Sequence, residues 1–355
     1  MGSGFLIYDK NNAYAVDVDD ILIRRDVFAQ GTLAVWGNND SGQVGDGTNN
    51  TRLGPFTIPS HNFTAVVCGP STTAAIDTTG ALWVWGYGNG QSVPSEYPPI
   101  LWKKIYCDAS PNNGTPNDYF YGTDVNGVFY NIPFGGSSPV VGNTISTYTW
   151  KVLINFNTTT FGLGIQSDGT LWQLYWLRIT QIGSANDWRL ISSSSHNANV
   201  VLLKNNNTLW FMDCVNTSSP YYLTPTSFFP TIAWSSIVCH MQYIIGIKTD
   251  GSLWFINFDN NGGYMSPNST IAQIGSSYDW KQVAVDTSLQ TPTNYNICAV
   301  KVDGTLWAKG DNTSGQCGQG STNPITEMAQ IGVDGNWRYV SGGDKRFAAI
   351  KDRSL

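Results

Sequence analysis

The sequence predicts an all-β protein, a single seven-bladed β-propeller whose last blade is closed by strands from both termini. Three observations carry this. A short phrase, a tight turn followed by Leu-Trp, recurs seven times. An aromatic residue opens a strand ahead of most copies. The chain also enters and leaves the repeat half-way through a unit.

The phrase reads Gly31-Thr-Leu-Ala-Val-Trp36-Gly37 in its first copy and Gly80-Ala-Leu-Trp83-Val-Trp85-Gly86 in its second. It returns as Asn126-Gly-Val-Phe-Tyr130, Asp168-Gly-Thr-Leu-Trp172, Asn206-Asn-Thr-Leu-Trp210, Asp250-Gly-Ser-Leu-Trp254 and Asp303-Gly-Thr-Leu-Trp307. Six intervals separate Gly31 from Gly304, a mean period of 45.5 residues. A period near 40–50 with strand content indicates a propeller. The strand openers are Phe63, Trp102, Trp150, Trp188, Trp234, Trp280 and Trp337. Of 14 tryptophans only Trp176 falls outside these two positions, so tryptophan serves as blade core.

Within a unit, the aromatic-led strand (Trp234 to Cys239) comes first and a second strand (Tyr243 to Lys248) follows. A Thr249-Asp250-Gly251 turn uses glycine's tolerance of positive φ, and the Leu-Trp strand closes the phrase. A Gly/Asn/Pro/Ser-rich stretch then leads onward. Short β-branched and aromatic runs with turn chemistry between them mean strands. No segment has a helical apolar period. The repeat is entered half-way, at Gly31-Thr-Leu-Ala-Val-Trp36-Gly37, and left half-way, at Trp337-Arg-Tyr-Val340 and Phe347-Ala-Ala-Ile350. These two halves make one unit, and closing the ring this way protects sheet edges. Residues 1–30 precede the repeat and read as an extended docking segment; residues 31–355 form the propeller.

Charged residues are 12% of the chain and the net charge is −6, so the surface is expected to be rich in Asn, Ser, Thr, Gln and Gly. An acidic chain offers no phosphate-binding footprint, so nucleic acid is not an expected partner. No apolar run approaches the ~18 residues needed to span a bilayer as a helix, and the first ten residues hold too short an apolar run for a secretory signal. Cys68, Cys107 and Cys239 share one position, five residues after Phe63, Trp102 and Trp234. They read as buried thiols rather than disulfides. Cys214, Cys298 and Cys317 follow no pattern.

At Trp36-Gly-Asn-Asn-Asp-Ser-Gly42-Gln-Val-Gly45-Asp-Gly47 the chain resembles the regulator of chromosome condensation (RCC1) repeat family. Asp303-Gly-Thr-Leu-Trp-Ala-Lys-Gly310-Asp-Asn312-Thr-Ser-Gly315-Gln-Cys-Gly318 matches the same phrase. The resemblance covers about residues 31–355 and implies a seven-bladed propeller with offset closure. Units between residues 120 and 300 lose the Gly-Gln-x-Gly tail. The N-terminal segment is Asp-rich where the family's chromatin-bound exchange factor carries a basic tail. The low charge and Asn/Thr/Gly-rich loops also resemble RCC1-like proteins encoded by bacteriophages.

His61, His196 and His240 sit in different units without metal-ligand spacing. Asp17-Val-Asp19-Asp20 lacks the glycine and distal glutamate of a calcium loop. No nucleophile has a plausible base, so no enzyme activity, cofactor or metal is expected. The candidate binding sites are long aromatic loops at 87–97, 111–121, 216–229, 257–267 and 289–295. In them Tyr87, Tyr97, Tyr221, Tyr222 and Tyr264 are expected to stack on sugars or anchor a protein. The expected function is a non-enzymatic structural or adhesion propeller, a phage virion component made in the host cytoplasm. Its partners would be other virion proteins or a host-surface glycan or protein, with no membrane insertion. The alternatives are a lectin-like propeller and a small-GTPase nucleotide-exchange factor.

Overall fold

The computed structural model describes residues 31–352 apart from 60, 87–90, 98, 113–114, 133–139, 142–148, 158–160, 176–177, 194–198, 214–223, 241–242, 258–269 and 289–294. The described residues form seven four-stranded antiparallel sheets. Six are sequential. Blade 5, for example, uses Trp234–Cys239, Tyr243–Lys248, Leu253–Asn257 and Thr270–Gln273 in spatial order. The seventh, the closing blade, pairs Trp337–Gly343 and Arg346–Asp352 with Gly31–Gly37 and Arg52–Thr57. Gly31 faces Asp352 and Gly37 faces Arg346 across that seam. The first strands of successive blades touch one another in a closed cycle, so the aromatic-led strands line the axis.

Each blade has a fourth strand that the three-strand reading of the unit lacks. Most of these strands are short and polar, as in Gln91–Glu96 and Thr270–Gln273. They lie on the outer edge with one face in water, so they carry little apolar signal. In five blades the residue after it is nonetheless buried. Ile58, Tyr97, Ile182, Ile274 and Ile331 all donate their backbone N–H to the leucine carbonyl of their own Leu-Trp strand.

The repeated phrase has a local cause. In Asp303-Gly304-Thr305-Leu306-Trp307 the Asp303 carboxylate accepts from the Thr305 N–H (2.9 Å) and hydroxyl (2.7 Å). The same hydroxyl accepts from the Trp307 indole (2.8 Å). Asp168-Thr170-Trp172, Asn206-Thr208-Trp210 and Asp250-Ser252-Trp254 repeat this relay. Hydrogen bonds from the Thr305 backbone, then its hydroxyl, hold the Asp303 carboxyl below the usual range. The turn also joins blades. The carbonyls of Gly80, Gly169, Asn207, Gly251 and Gly304 accept the N–H of the next blade's opening tryptophan. A β-bulge directly follows every opener, from Phe63 to Trp337. It adds twist and re-aims the ring.

The tail phrase is structural too. Asn39 donates to the Thr48 and Asn50 carbonyls and accepts from the Val44 N–H, and Asn312 does the same with Ser321, Asn323 and Cys317. The loops so closed present the Gln43 and Gln316 carbonyls to the Trp85 and Trp36 indoles of the following blade. Only these two blades have a tryptophan at that position; Ile132, Leu174, Met212, Ile256 and Lys309 stand there elsewhere, and none is an indole that the tail's carbonyl would serve. Loss of the tail in the middle units therefore accompanies loss of the indole it serves.

Seven apolar clusters fill the seven blade junctions. Cys68 and Cys239 are buried thiols, as expected, whereas Cys107 is half-buried. Arg346, fully buried, fastens the closing blade to blade 1. Its guanidinium donates to the carbonyls of Gly69 (2.8 Å), Pro70 (2.9 Å) and Thr72 (2.6 Å).

Two outcomes follow from this bonding. Arg346→Met should cost roughly 2–4 kcal/mol, because three buried carbonyls lose a charged donor. Thr305→Val should cost about 1–2 kcal/mol through loss of the relay. Urea unfolding followed by tryptophan fluorescence checks both.

Candidate binding face

Strand direction alternates within a blade, so connections sort to the two ends of the ring. The turns between second and third strands, and the links into each next blade, share one end, the turn face. The connections from first to second and from third to fourth strands share the other, the loop face. The described strands on either side of the connections within the five candidate segments meet them at the loop face, although 91–96 and 226–228 are fourth strands that run on to the turn face. Gly31 and Asp352 lie at the turn face.

The segment 111–121, expected as a loop, is instead part of a long hairpin. Trp102–Asn112 and Thr115–Asp124 pair throughout. In other blades the first two strands end at pairs such as Cys68↔Thr73 and Cys239↔Ile244. Here the equivalent pair, Cys107↔Phe120, is followed by five more, out to Asn112↔Thr115. At about 3.3 Å per residue the ribbon projects about 15 Å beyond its neighbours. Asn113-Gly114, the sequence between the last pair, favours a two-residue hairpin turn. Pro111 and Pro116 face each other. With no N–H to offer, they blunt both edges against further strands. Polar composition and two prolines hide the ribbon from a strand search.

Tyr97 is a correction. It was expected at the rim, but it is buried with Leu82, Trp102 and Ile105 between blades 1 and 2. Burial pushes its hydroxyl up to about 12. It fills the same position as Ile58 and Ile274. The interval from the Leu-Trp strand to that position varies from blade to blade, so sequence alignment does not reveal it. Tyr87, Tyr221, Tyr222 and Tyr264 lie outside the described residues, as do most of the loops that carry them. His196, Cys214 and the Asp17-Val-Asp19-Asp20 segment do as well. His61 stacks on Trp83 (3.8 Å), remote from His240.

The described part of the loop face is organised around Asp286, a residue no motif marked. Asp286 directly follows the first strand of blade 6, Trp280–Val285, and is fully buried. It accepts from the Ser288 N–H (2.7 Å), the Asn296 amide (3.0 Å) and the Lys345 N–H (3.1 Å). Lys345 has φ 50°, and its turn carries Arg346. The carboxylate thus holds the turn that positions the closing guanidinium. Burial pushes Asp286 up to about 6, against the pull of those hydrogen bonds. Alongside, His240 stacks on Tyr243 (4.5 Å) and Phe255 on Tyr295 (4.7 Å), with Lys309 over Tyr295 (5.6 Å). Burial, then the Asp286 charge, holds the Tyr243 hydroxyl well above its ordinary range. Among the described residues no group of acidic, histidine or cysteine side chains has metal-binding geometry.

The model of the regulator of chromosome condensation (RCC1) repeat matches residues 30–76, the third and fourth strands of the closing blade and the first two of blade 1. No curated protein matches the sequence. Among solved structures, Prp20p from Saccharomyces cerevisiae, described with its binding properties to Gsp1p and histones, superposes with a TM-score of 0.70 at 14% identity. That match covers 98% of this chain and 97% of Prp20p. Yeast RCC1 (Prp20) bound to Kap60 gives a TM-score of 0.70 at 13% identity, covering 100% and 96%. Human WBSCR16 gives 0.63 at 11% identity, covering 92% and 100%. At these identities the likeness is one of fold.

The buried carboxyl sets a pH dependence. A folded-state value above the ordinary 3.8 means the folded protein holds the Asp286 proton more tightly than the unfolded chain. Stability should rise by about 1 kcal/mol as pH falls from 7 to 5. Asp344, also raised by burial, adds to the same slope. Asp286→Asn should therefore shallow the slope in that window without abolishing it, measured by urea unfolding at each pH.

Proposed function

We propose that this propeller, which carries an RCC1-type repeat at residues 30–76, is a non-enzymatic adhesion and structural component of a phage particle. The loop face binds a host-surface glycan or protein, or another virion protein, and residues 1–30 dock the ring to the particle.

The observation that carries this reading is the division between the two faces. The long described connections at 38–51 and 311–324 and the projecting hairpin at 102–124 emerge on one side. Gly31 and Asp352 lie at the other. Such an arrangement suits a module held at one face and presenting the opposite one. The turn face is consumed by inter-blade hydrogen bonds, whereas the hairpin adds ribbon that no blade junction requires. The net charge of −6 and the sparse charged residues fit contacts made by polar and aromatic groups.

Two experiments test the reading. Mass spectrometry of purified particles should detect the chain; finding it only as a free intracellular monomer would sink the proposal. Replacing residues 108–119 with Asn-Gly should leave the melting temperature within about 2 °C of the parent, because the ribbon lies outside the blade junctions. The same change should abolish binding of the labelled protein to host cells or particles. Unchanged binding would remove the hairpin from the site. A glycan array and a nucleotide-release assay with a small GTPase separate the lectin and exchange-factor alternatives.

A further inference from the structure

Six blades place an aromatic ring at one equivalent position of the third strand: Trp83, Tyr130, Trp172, Trp210, Trp254 and Trp307. Register defines the position, since each ring faces the middle of the second strand, as in Trp254↔Gly246 and Trp307↔Ala299. In three of these blades the ring has a further partner. The lysine ending the second strand lies between it and the opening tryptophan. Lys204 sits 4.7 Å from Trp188 and 4.8 Å from Trp210. Lys301 sits 4.9 Å from Trp280 and 4.6 Å from Trp307. Lys248 lies over Trp234 and Trp254 in the same way.

The closing blade has the lysine and the opening tryptophan but not the second ring. Lys351 stands 5.1 Å from Trp337, and the register Ala34↔Ala349 puts Ala34 where the other blades have the aromatic. The neighbouring side chains have not collapsed into the space. A cavity of about 270 Å³ remains there, lined by Ala34, Pro55, Thr57, Asp334, Trp337 and Lys351. It is slightly smaller than the roughly 300–1,000 Å³ of sites for drug-sized ligands, which suits a single ring system. Asp334 accepts from Lys351 (2.6 Å), so a cation and an acceptor stand beside the Trp337 ring.

We propose that this vacated slot binds a planar aromatic ring of indole or phenol size. The ring would enter over Ala34 and give Lys351 the second π face that Lys204, Lys248 and Lys301 already have. Attraction between a cation and a ring face favours an aromatic guest over a saturated one of equal size. The Asp334 carboxylate can accept from an indole N–H or a phenol O–H. The ring can come from a free small molecule or from a side chain of a partner protein, and the recognition chemistry is the same for both.

The test uses the full chain. Isothermal titration with indole should show saturable binding, and with cyclohexanol at least tenfold weaker binding. Ala34→Trp, which supplies the missing ring from within, should abolish it. Should that variant not fold, Ala34→Leu serves the same end, and Lys351→Met should weaken binding several-fold while leaving the slot open. Binding of N-acetyl-tryptophanamide as well as indole identifies a side chain as the guest; binding of indole alone identifies a free molecule. No binding of either at millimolar concentration, equal binding of cyclohexanol, or binding unchanged by Ala34→Trp or Ala34→Leu overturns the proposal.

Discussion

A ring of seven sheets must close, and here closure rests on one seam between the two ends of the repeat. Gly31–Gly37 and Arg346–Asp352 pair along their whole length. Every other blade is bonded covalently through its own hairpins, so it can form before the ring is complete. The closing blade cannot, because its strands are separated by nearly the full chain. Its formation carries the loop-closure entropy of the whole propeller. This accounts for the concentration of buried polar contacts beside the seam. Arg346 grips three carbonyls of blade 1, and Asp286 of blade 6 holds the turn that presents it. The closing blade is thereby fastened to both neighbours by groups that water would otherwise solvate.

The junctions elsewhere use cheaper devices. A turn carbonyl accepts the next opener's N–H, and an Asx–hydroxyl–indole relay stiffens the turn that supplies it. Both depend on local sequence alone, which is why the phrase recurs even as surrounding residues diverge. The Gly-Gln-x-Gly tail obeys a different rule. It is needed only where the following blade buries an indole at the second tryptophan position, so Trp36 and Trp85 have tails before them and Ile256 does not. What looks in sequence like erosion of the repeat is a paired change in two side chains that meet across a junction.

The same distinction decides what sequence could reveal. Strand order, blade number and offset closure were readable because they rest on local phrases with a regular period. The fourth strands were not, since half their residues face solvent and their distance from the phrase varies. Tyr97 was misplaced for that reason: its burial follows from the hydrogen bond to the Leu82 carbonyl, and no fixed spacing announces it. Residues 111–121 read as a loop, yet Pro111 and Pro116 lie opposite each other on a ribbon whose edges they protect. Asp286 was invisible because its partners come from three separate segments.

Departures from the repeat divide by whether packing explains them. Missing tails and the Leu174 and Met212 replacements are compensated across the junction, since the indole that a tail would serve is gone. Ala34 is not: its strand keeps the leucine, the lysine partner and the opening tryptophan, and leaves the ring's volume empty. The long hairpin is likewise more ribbon than its junction uses. A closed ring has little freedom to keep uncompensated volume or surplus strand, because each junction is bounded by two others. These two features are therefore where interaction with something outside the chain has the strongest physical claim. They lie on different parts of the ring, so one can hold a partner without obstructing the other.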